Sequence, residues 1–340
     1  MFTFYGKRNK VIIILLAILL VSSLLTSYFL TKSNWHASAS NRIGFGLSTK
    51  ADPKFWAEKL HASWYLDWKT SAIPSGQAPE YWQMIRLSAS GYTPSANEIK
   101  ALTVNFPGHV WIIGNEPDNI WQDNIPAKEF AQYYHEIYAL IKNFDPTAKI
   151  AVGAISQPTQ LRLSYLNQVL NEYKQQYHQS LPADWWTLHA YVLREEVDSW
   201  GAGIPPGMTQ KRGDLYMIED HSNLSIFKEN VIQFRKWMNN NGYQNKPLAI
   251  TEFGILLPAE FGSTPSLVSD YLKETFLWLE SATDSEIGYP ADNDRLVQKF
   301  AWFSLADINF PVADLAELST NSLTSTGETF FKTALSLDEE

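Results

Sequence analysis

The stretch Val110-Trp111-Ile112-Ile113-Gly114-Asn115-Glu116-Pro117-Asp118 is an apolar run that ends abruptly in polar residues. It reads as a strand that delivers Glu116 at its carboxyl end, where Pro117, which lacks an N–H, stops the ladder. A second stretch, Pro247-Leu248-Ala249-Ile250-Thr251-Glu252-Phe253-Gly254, delivers Glu252 in the same manner.

Outward from these two strands, short apolar runs alternate with amphipathic stretches from Arg42 onward. That alternation argues for βα units around a parallel sheet. Strands are expected over residues 43–47, 63–67, 81–87, 110–114, 149–155, 185–190, 248–251 and 299–305. Helices are expected over 55–60, 95–103, 127–143, 161–177, 227–240 and 266–281. In the third of these, Phe130, Tyr134, Ile137 and Ile141 share one face, the spacing of a helix laid on a sheet. Eight units within residues 42–337 match the size of a (β/α)8 TIM barrel, an α/β fold, with a doubly wound open sheet as the alternative. Three segments fit the repeat poorly: 68–80 has hardly room for a helix, and 192–225 and 284–294 are irregular excursions. Excursions after the second and sixth strands would shape a cleft at the catalytic face of a barrel. Asn223-Leu224-Ser225 is a glycosylation sequon, meaningful only in a suitable host.

Composition narrows the chemistry. The chain has 340 residues and no cysteine, which removes disulfides, thiol nucleophiles and Cys-ligated zinc. Hydrophobic residues make 45% and charged residues 19%, values of a globular protein with a sizeable core. The net charge is −9, and the only charges in the first 40 residues are the basic Lys7, Arg8, Lys10 and Lys32, so the rest is more acidic still. Such a body repels phosphate polymers, and no nucleic-acid partner is expected. The 13 tryptophans suit a protein that stacks flat, uncharged rings such as sugars, though a core position is the ordinary explanation for any one of them.

At the N-terminus, residues 11–30 read VIIILLAILLVSSLLTSYFL, without charge, proline or glycine. As a helix this run would cross about 30 Å of hydrocarbon. Three bases precede it, so the expected organisation is a cytoplasmic basic tail (1–10), a transmembrane signal anchor (11–30), a tether (31–41) and an extracytoplasmic barrel (42–337). Cleavage near Ala37-Ser38-Ala39 would make the protein secreted instead.

Several familiar motifs are missing, among them the P-loop, H-E-x-x-H and G-x-S-x-G. Carboxylates at strand ends remain. Counting strands puts Glu116 after the fourth and Glu252 after the seventh, on one face of a barrel whose strands all run parallel. Two carboxyl groups across a barrel mouth suit glycoside hydrolysis, in which one protonates the leaving oxygen and the other attacks the anomeric carbon. No metal or organic cofactor is implied, since the pair supplies both proton transfer and covalent catalysis.

These motifs resemble glycoside hydrolase clan A, the retaining (β/α)8 enzymes. The order Ser63-Trp64-Tyr65-Leu66-Asp67-Trp68, Asn115-Glu116-Pro117-Asp118, His189-Ala190-Tyr191, Thr251-Glu252-Phe253 and Ala301-Trp302-Phe303-Ser304 is similar to family 128, associated with endo-acting β-1,3-glucanases. Leu323-Thr324-Ser325-Thr326-Gly327 also looks like the end of clan A barrels. The resemblance implies Glu116 as acid/base, Glu252 as nucleophile and Asn115 as a donor to the sugar 2-hydroxyl. It implies substrate contacts at His189 and Tyr191, and sugar platforms at Trp302 and Trp68. The family usually places an aromatic residue between this histidine and tyrosine, where Ala190 stands here. The expected partner is a β-linked oligo- or polysaccharide. Two alternatives stay open: a membrane-tethered, non-catalytic carbohydrate-binding barrel, and a clan A hydrolase of a xyloside, mannan or cell-wall glycan. Retention would require the two carboxyl groups to stand roughly 5 to 5.5 Å apart, against about 6.5 to 9.5 Å for inversion.

Overall fold

A computed structural model describes residues 41–257 and 259–338. The proposed basic tail, membrane span and nearly all of the tether lie outside the described residues. Among the described residues no helix is long and apolar enough to cross a membrane.

Eight strands close a parallel barrel: β1 (Ile43–Gly46), β2 (Trp64–Leu66), β3 (Glu80–Ser88), β5 (Val110–Ile113), β6 (Lys149–Val152), β7 (Trp185–His189), β8 (Leu248–Phe253) and β9 (Lys299–Trp302). The ladder runs β2-β1-β9-β8-β7-β6-β5-β3, and β3 pairs back onto β2. Closure leaves no free edge and excludes the open-sheet alternative. A short strand, β4 (Gly91–Thr93), folds back on β3 as an antiparallel hairpin that the sequence reading did not include.

The helices are α1 (Pro53–Leu60), α2 (Ala96–Asn105), α3 (Ala127–Phe144), α4 (Gln160–Tyr177), α5 (Leu224–Asn240), α6 (Pro265–Ser281) and α7 (Ser325–Asp338). Their starts have local causes. Asp52 accepts from the Lys54 and Phe55 amides ahead of α1, and Thr264 accepts from Leu267 ahead of α6. Asn223, the sequon residue, likewise caps α5 by accepting from Ser225 and Ile226. No helix forms between β2 and β3, in keeping with the shortness of residues 68–80. A two-stranded ribbon, β10 (Ala316–Glu317) with β11 (Ser322–Leu323), leads into α7.

Side-chain alternation sorts the strands into two cores. Trp64, Leu66, Trp82, Met84, Val110, Ile112, Ala151, Ala249 and Ala301 pack together and fill the barrel. Their neighbours Trp111, Ile113, Ile250, Phe300 and Trp302 belong instead to the larger core beneath the helices. Trp64 fills its space only because Gly44 faces it: a Cβ at Gly44 would come within 2.5 Å of the indole.

At the carboxyl rim the β7–β8 register shifts. Leu188 pairs with Ile250, but His189 pairs with Glu252, leaving Thr251 as an extra residue. Such a bulge re-aims the side chains beyond it, here Glu252.

Candidate active site

Glu116 leaves β5 through a backbone turn that few side chains adopt. Gly114 has φ +89° and Glu116 itself φ +45°, in the left-handed region where a side chain crowds the backbone. The turn is held by its surroundings: the Glu116 amide donates to Ala154 O at 2.9 Å, and Asp123 Oδ2 accepts from the Asn115 and Leu87 amides at 2.7 and 2.9 Å. Asp123 is fixed in turn by Arg86, 2.6 Å away. Gly153 lets β6 approach: a Cβ there would stand 2.4 Å from Gly114 O.

The turn and the β8 bulge bring Glu116 and Glu252 to either side of His189. His189 Nδ1 is hydrogen-bonded to Glu116 Oε1 at 2.7 Å. Its Nε2 lies 3.2 Å from Glu252 Oε1, an ion-pair contact without hydrogen-bond alignment. One donor atom from each of the three residues lies within 4.8 Å of the others. The outer carboxylate oxygens are also engaged: Asn119 Nδ2 donates to Glu116 Oε2 at 2.6 Å, and Tyr191 OH donates to Glu252 Oε2 at 3.0 Å. Trp68 Nε1 donates to Glu252 Oε1 at 2.5 Å. Two carboxylates and an imidazole are donors that a divalent cation would accept, but all four oxygens and Nδ1 already have partners.

Burial acts on all three groups, and their mutual contacts decide the outcome. For Glu116, burial favours the neutral acid, but the hydrogen bond and charge of His189, the Asn119 amide and the charge of Arg162 outweigh it and hold the pKa below its ordinary value. Glu252 is pushed up, by burial first and by the Glu116 charge, against the pull of His189, Trp68 and Tyr191. His189 is raised because the two carboxylates overcome its desolvation. These directions favour an ionised Glu116 beside a protonated His189.

The pair forms the floor of a cavity of about 500 Å³, within the usual range for a ligand site. Glu116, Asn119, Tyr191 and Glu252 line it, as do Trp121, Gln122, Trp200, His221 and Phe303. Of the residues expected from sequence, His189, Tyr191 and Trp68 converge on the carboxylates. Asn115 is buried beside them but outside the lining, its Nδ2 3.4 Å from Gln122 Oε1 and its Oδ1 without a partner.

Trp302 requires correction. It is fully buried, packs against Phe253 and Tyr271, and donates its Nε1 to Ala313 O at 2.9 Å, so it offers no ring face to a sugar. The next residue, Phe303, faces the cavity instead and meets Trp68 edge-on at 5.4 Å. Strand parity was the available signal: Ala301 points inward, Trp302 outward and Phe303 inward again. Asn119, Trp121 and Trp200 lie in irregular loops and His221 in a short 3-10 turn, Ile218–Ser222, where no periodicity marked them. Ala190 is buried in the core beneath the helices, so the departure there alters packing behind the cavity and not its lining.

Residues 42–204 match the family model described as the glycosyl hydrolase catalytic core. No curated protein sequence matches the chain. Among solved structures, a subgroup II endo-β-1,3-glucanase of glycoside hydrolase family 128 from Pseudomonas viridiflava is similar with TM-score 0.59 and 16% identity, over 86% of this chain and 97% of that one. A subgroup I endo-β-1,3-glucanase variant from Amycolatopsis mediterranei, bound to laminarihexaose, gives 0.56 and 16%, over 86% and 99%. A subgroup III curdlan-specific exo-β-1,3-glucanase from Blastomyces gilchristii, bound to glucose, gives 0.57 and 17%, over 86% and 99%. At these identities the structural likeness shows a shared fold. The match to the catalytic core, which covers a little under half of the chain, supports a glycoside hydrolase.

Proposed function

We propose that this glycoside hydrolase cleaves a β-1,3-linked glucan with retention, using Glu252 as nucleophile and Glu116 as acid/base. The observation that carries the reading is the spacing of the two carboxylates, an oxygen of each lying within 4.8 Å of the other across His189. A spacing this short favours direct attack over the wider separation that inversion needs for its intervening water. In the first step Glu252 forms a bond to the anomeric carbon as the glycosidic C–O bond breaks, and the leaving oxygen takes a proton from Glu116. Water then attacks the same carbon, gives its proton to Glu116 and releases Glu252.

The proton on His189 fits this division of roles through coupling. Nδ1–H can pass its proton along the 2.7 Å hydrogen bond to Glu116 Oε1. That transfer removes the Glu116 charge, which opposes the Glu252 anion, together with the His189 charge, which supports it more strongly, so the anion then depends on the hydrogen bonds that Tyr191 and Trp68 donate to it. The charges of the free state, with Glu252 raised and Glu116 lowered, would suit exchanged roles, and identifying the residue that carries the glycosyl group separates the two readings.

The substrate class is supported by solved structures of similar fold that hold laminari-oligosaccharides. The catalytic domain would be displayed outside the cytoplasmic membrane, held by residues 11–30 or released if they are removed. The test of activity incubates residues 41–340 with laminari-oligosaccharides and follows the first-formed anomer by NMR. The β anomer is expected, with turnover lost in Glu116→Ala and Glu252→Ala; an initial α anomer, or unchanged turnover in either variant, would refute the assignment.

A further inference from the structure

Two tryptophans stand in solvent at the mouth of the cavity. Trp121 is 69% exposed and Trp200 37%, and both line the same space as the carboxylates. Trp121 follows Glu116 on one loop, and its Nε1 donates to Gly201 O at 3.0 Å, which ties that loop to the excursion carrying Trp200. The two tryptophans thus belong to one wall, made by the loop that follows Glu116 and the excursion bound to it.

The rest of the lining is largely apolar, with Leu193, Ile218, Leu256 and Leu257 beside Phe261, Phe303 and Phe310. Among the described residues no Lys or Arg lines the cavity. His221 packs beside Trp200, ring centroids 5.5 Å apart, and burial pushes its pKa down to about 4, so it is neutral near pH 7. Its Nδ1 makes no hydrogen bond. An aromatic face can accept the C–H face of a sugar, but aliphatic side chains leave sugar hydroxyls without partners, which costs free energy for each hydroxyl removed from water. An apolar group in the same place gains from leaving water.

We propose that the cavity takes a second class of substrate, β-glucosides or laminari-oligosaccharides whose leaving group is an apolar alcohol, seated against Trp121, Trp200 and the aliphatic wall. This deepens the reading of Glu116 as acid: the alcohol oxygen takes its proton from Glu116 as the anomeric carbon bonds to Glu252, and the alcohol departs.

The test compares octyl with methyl β-laminaribioside below the micelle concentration. A kcat/KM higher by about tenfold or more for the octyl compound is expected, given the apolar area such a chain would bury. Trp200→Ala and Trp121→Ala should each lower that ratio. The second position is so exposed that its variant keeps the fold. Equal kcat/KM for the two compounds, or a ratio that survives both substitutions, overturns the proposal. Should neither compound be hydrolysed, turnover of laminari-oligosaccharides decides the glucosidase reading, and calorimetric binding to Glu252→Gln still decides this one. Octyl binding at least tenfold tighter than methyl supports an apolar seat, and equal affinity removes it.

Discussion

Burial has opposite outcomes at Glu116 and Glu252 because His189 does not serve them equally. It makes an aligned hydrogen bond to the first and only an unaligned contact to the second. The raised pKa of Glu252 means that its nucleophilic anion is lost as pH falls through a value above the ordinary carboxylate range. The raised pKa of His189 means that the proton reserve for Glu116 is lost as pH rises through a value above that of free histidine. A bell-shaped kcat/KM profile is therefore expected. His189→Asn should remove or displace the basic limb; a variant profile superimposable on that of the wild type would show that His189 stores no proton for the reaction.

Trp302 and Phe303 show why residue-level roles are the hardest to read from sequence. Strand limits inferred from pattern carry an uncertainty of a residue or more, and one residue exchanges the inner and outer faces. The physical contrast is measurable. Trp302→Ala should lower the unfolding free energy by about 3–5 kcal/mol in urea titrations, the cost of a large cavity in a packed core. Phe303→Ala should instead show mainly as a raised KM. A raised KM with undiminished stability for Trp302→Ala would restore it as a platform.

At the scale of elements, the excursion after β7 is joined to the Glu116 turn through one buried cation. Arg162, on α4, has no solvent exposure, pairs with Asp118 and lies 2.7 Å from Glu195 Oε1. It also donates to Gly203 O at 2.9 Å, while Glu195 accepts from Thr159 and from the Asp214 amide. Asp118 follows Glu116 by two residues, so α4, the turn and the excursion share one charge cluster. Arg162→Met would leave two buried carboxylates uncompensated, and a loss of about 3–5 kcal/mol in denaturant unfolding is expected. A stability change within about 0.5 kcal/mol, the range of ordinary surface substitutions, would show that the cluster does not hold these elements together. None of this was legible in the sequence, because the excursion has no period to follow and its partners are far away along the chain. The β3–β4 hairpin was missed for a different reason: only the short Ser90-Gly91 turn announced it.

At the scale of the whole molecule, pattern was enough. Each barrel strand is a short apolar run bounded by polar residues, glycine or proline, and all eight expected runs coincide with observed strands to within a few residues. The placement of Glu116 and Glu252 on one rim followed from that count, because parallel closure gives every strand end the same face. What counting could not supply was the β8 bulge and the left-handed Glu116 backbone, which turn two strand ends into a facing pair. The proposed anchor over residues 11–30 also belongs to this scale. In fractionated cells the full chain should remain with membranes after a high-salt wash and be degraded by protease added outside. Recovery in the soluble cytoplasm would refute the anchor and the external placement together.

The central claim is that Glu252 attacks the sugar and holds it covalently. A 2-fluoro-laminaribiosyl fluoride slows release of such an intermediate, so that intact-mass and peptide spectrometry can locate it. One sugar adduct on the peptide bearing Glu252 is the predicted result; an adduct on Glu116, or turnover of natural substrate with no adduct on either residue, would contradict it.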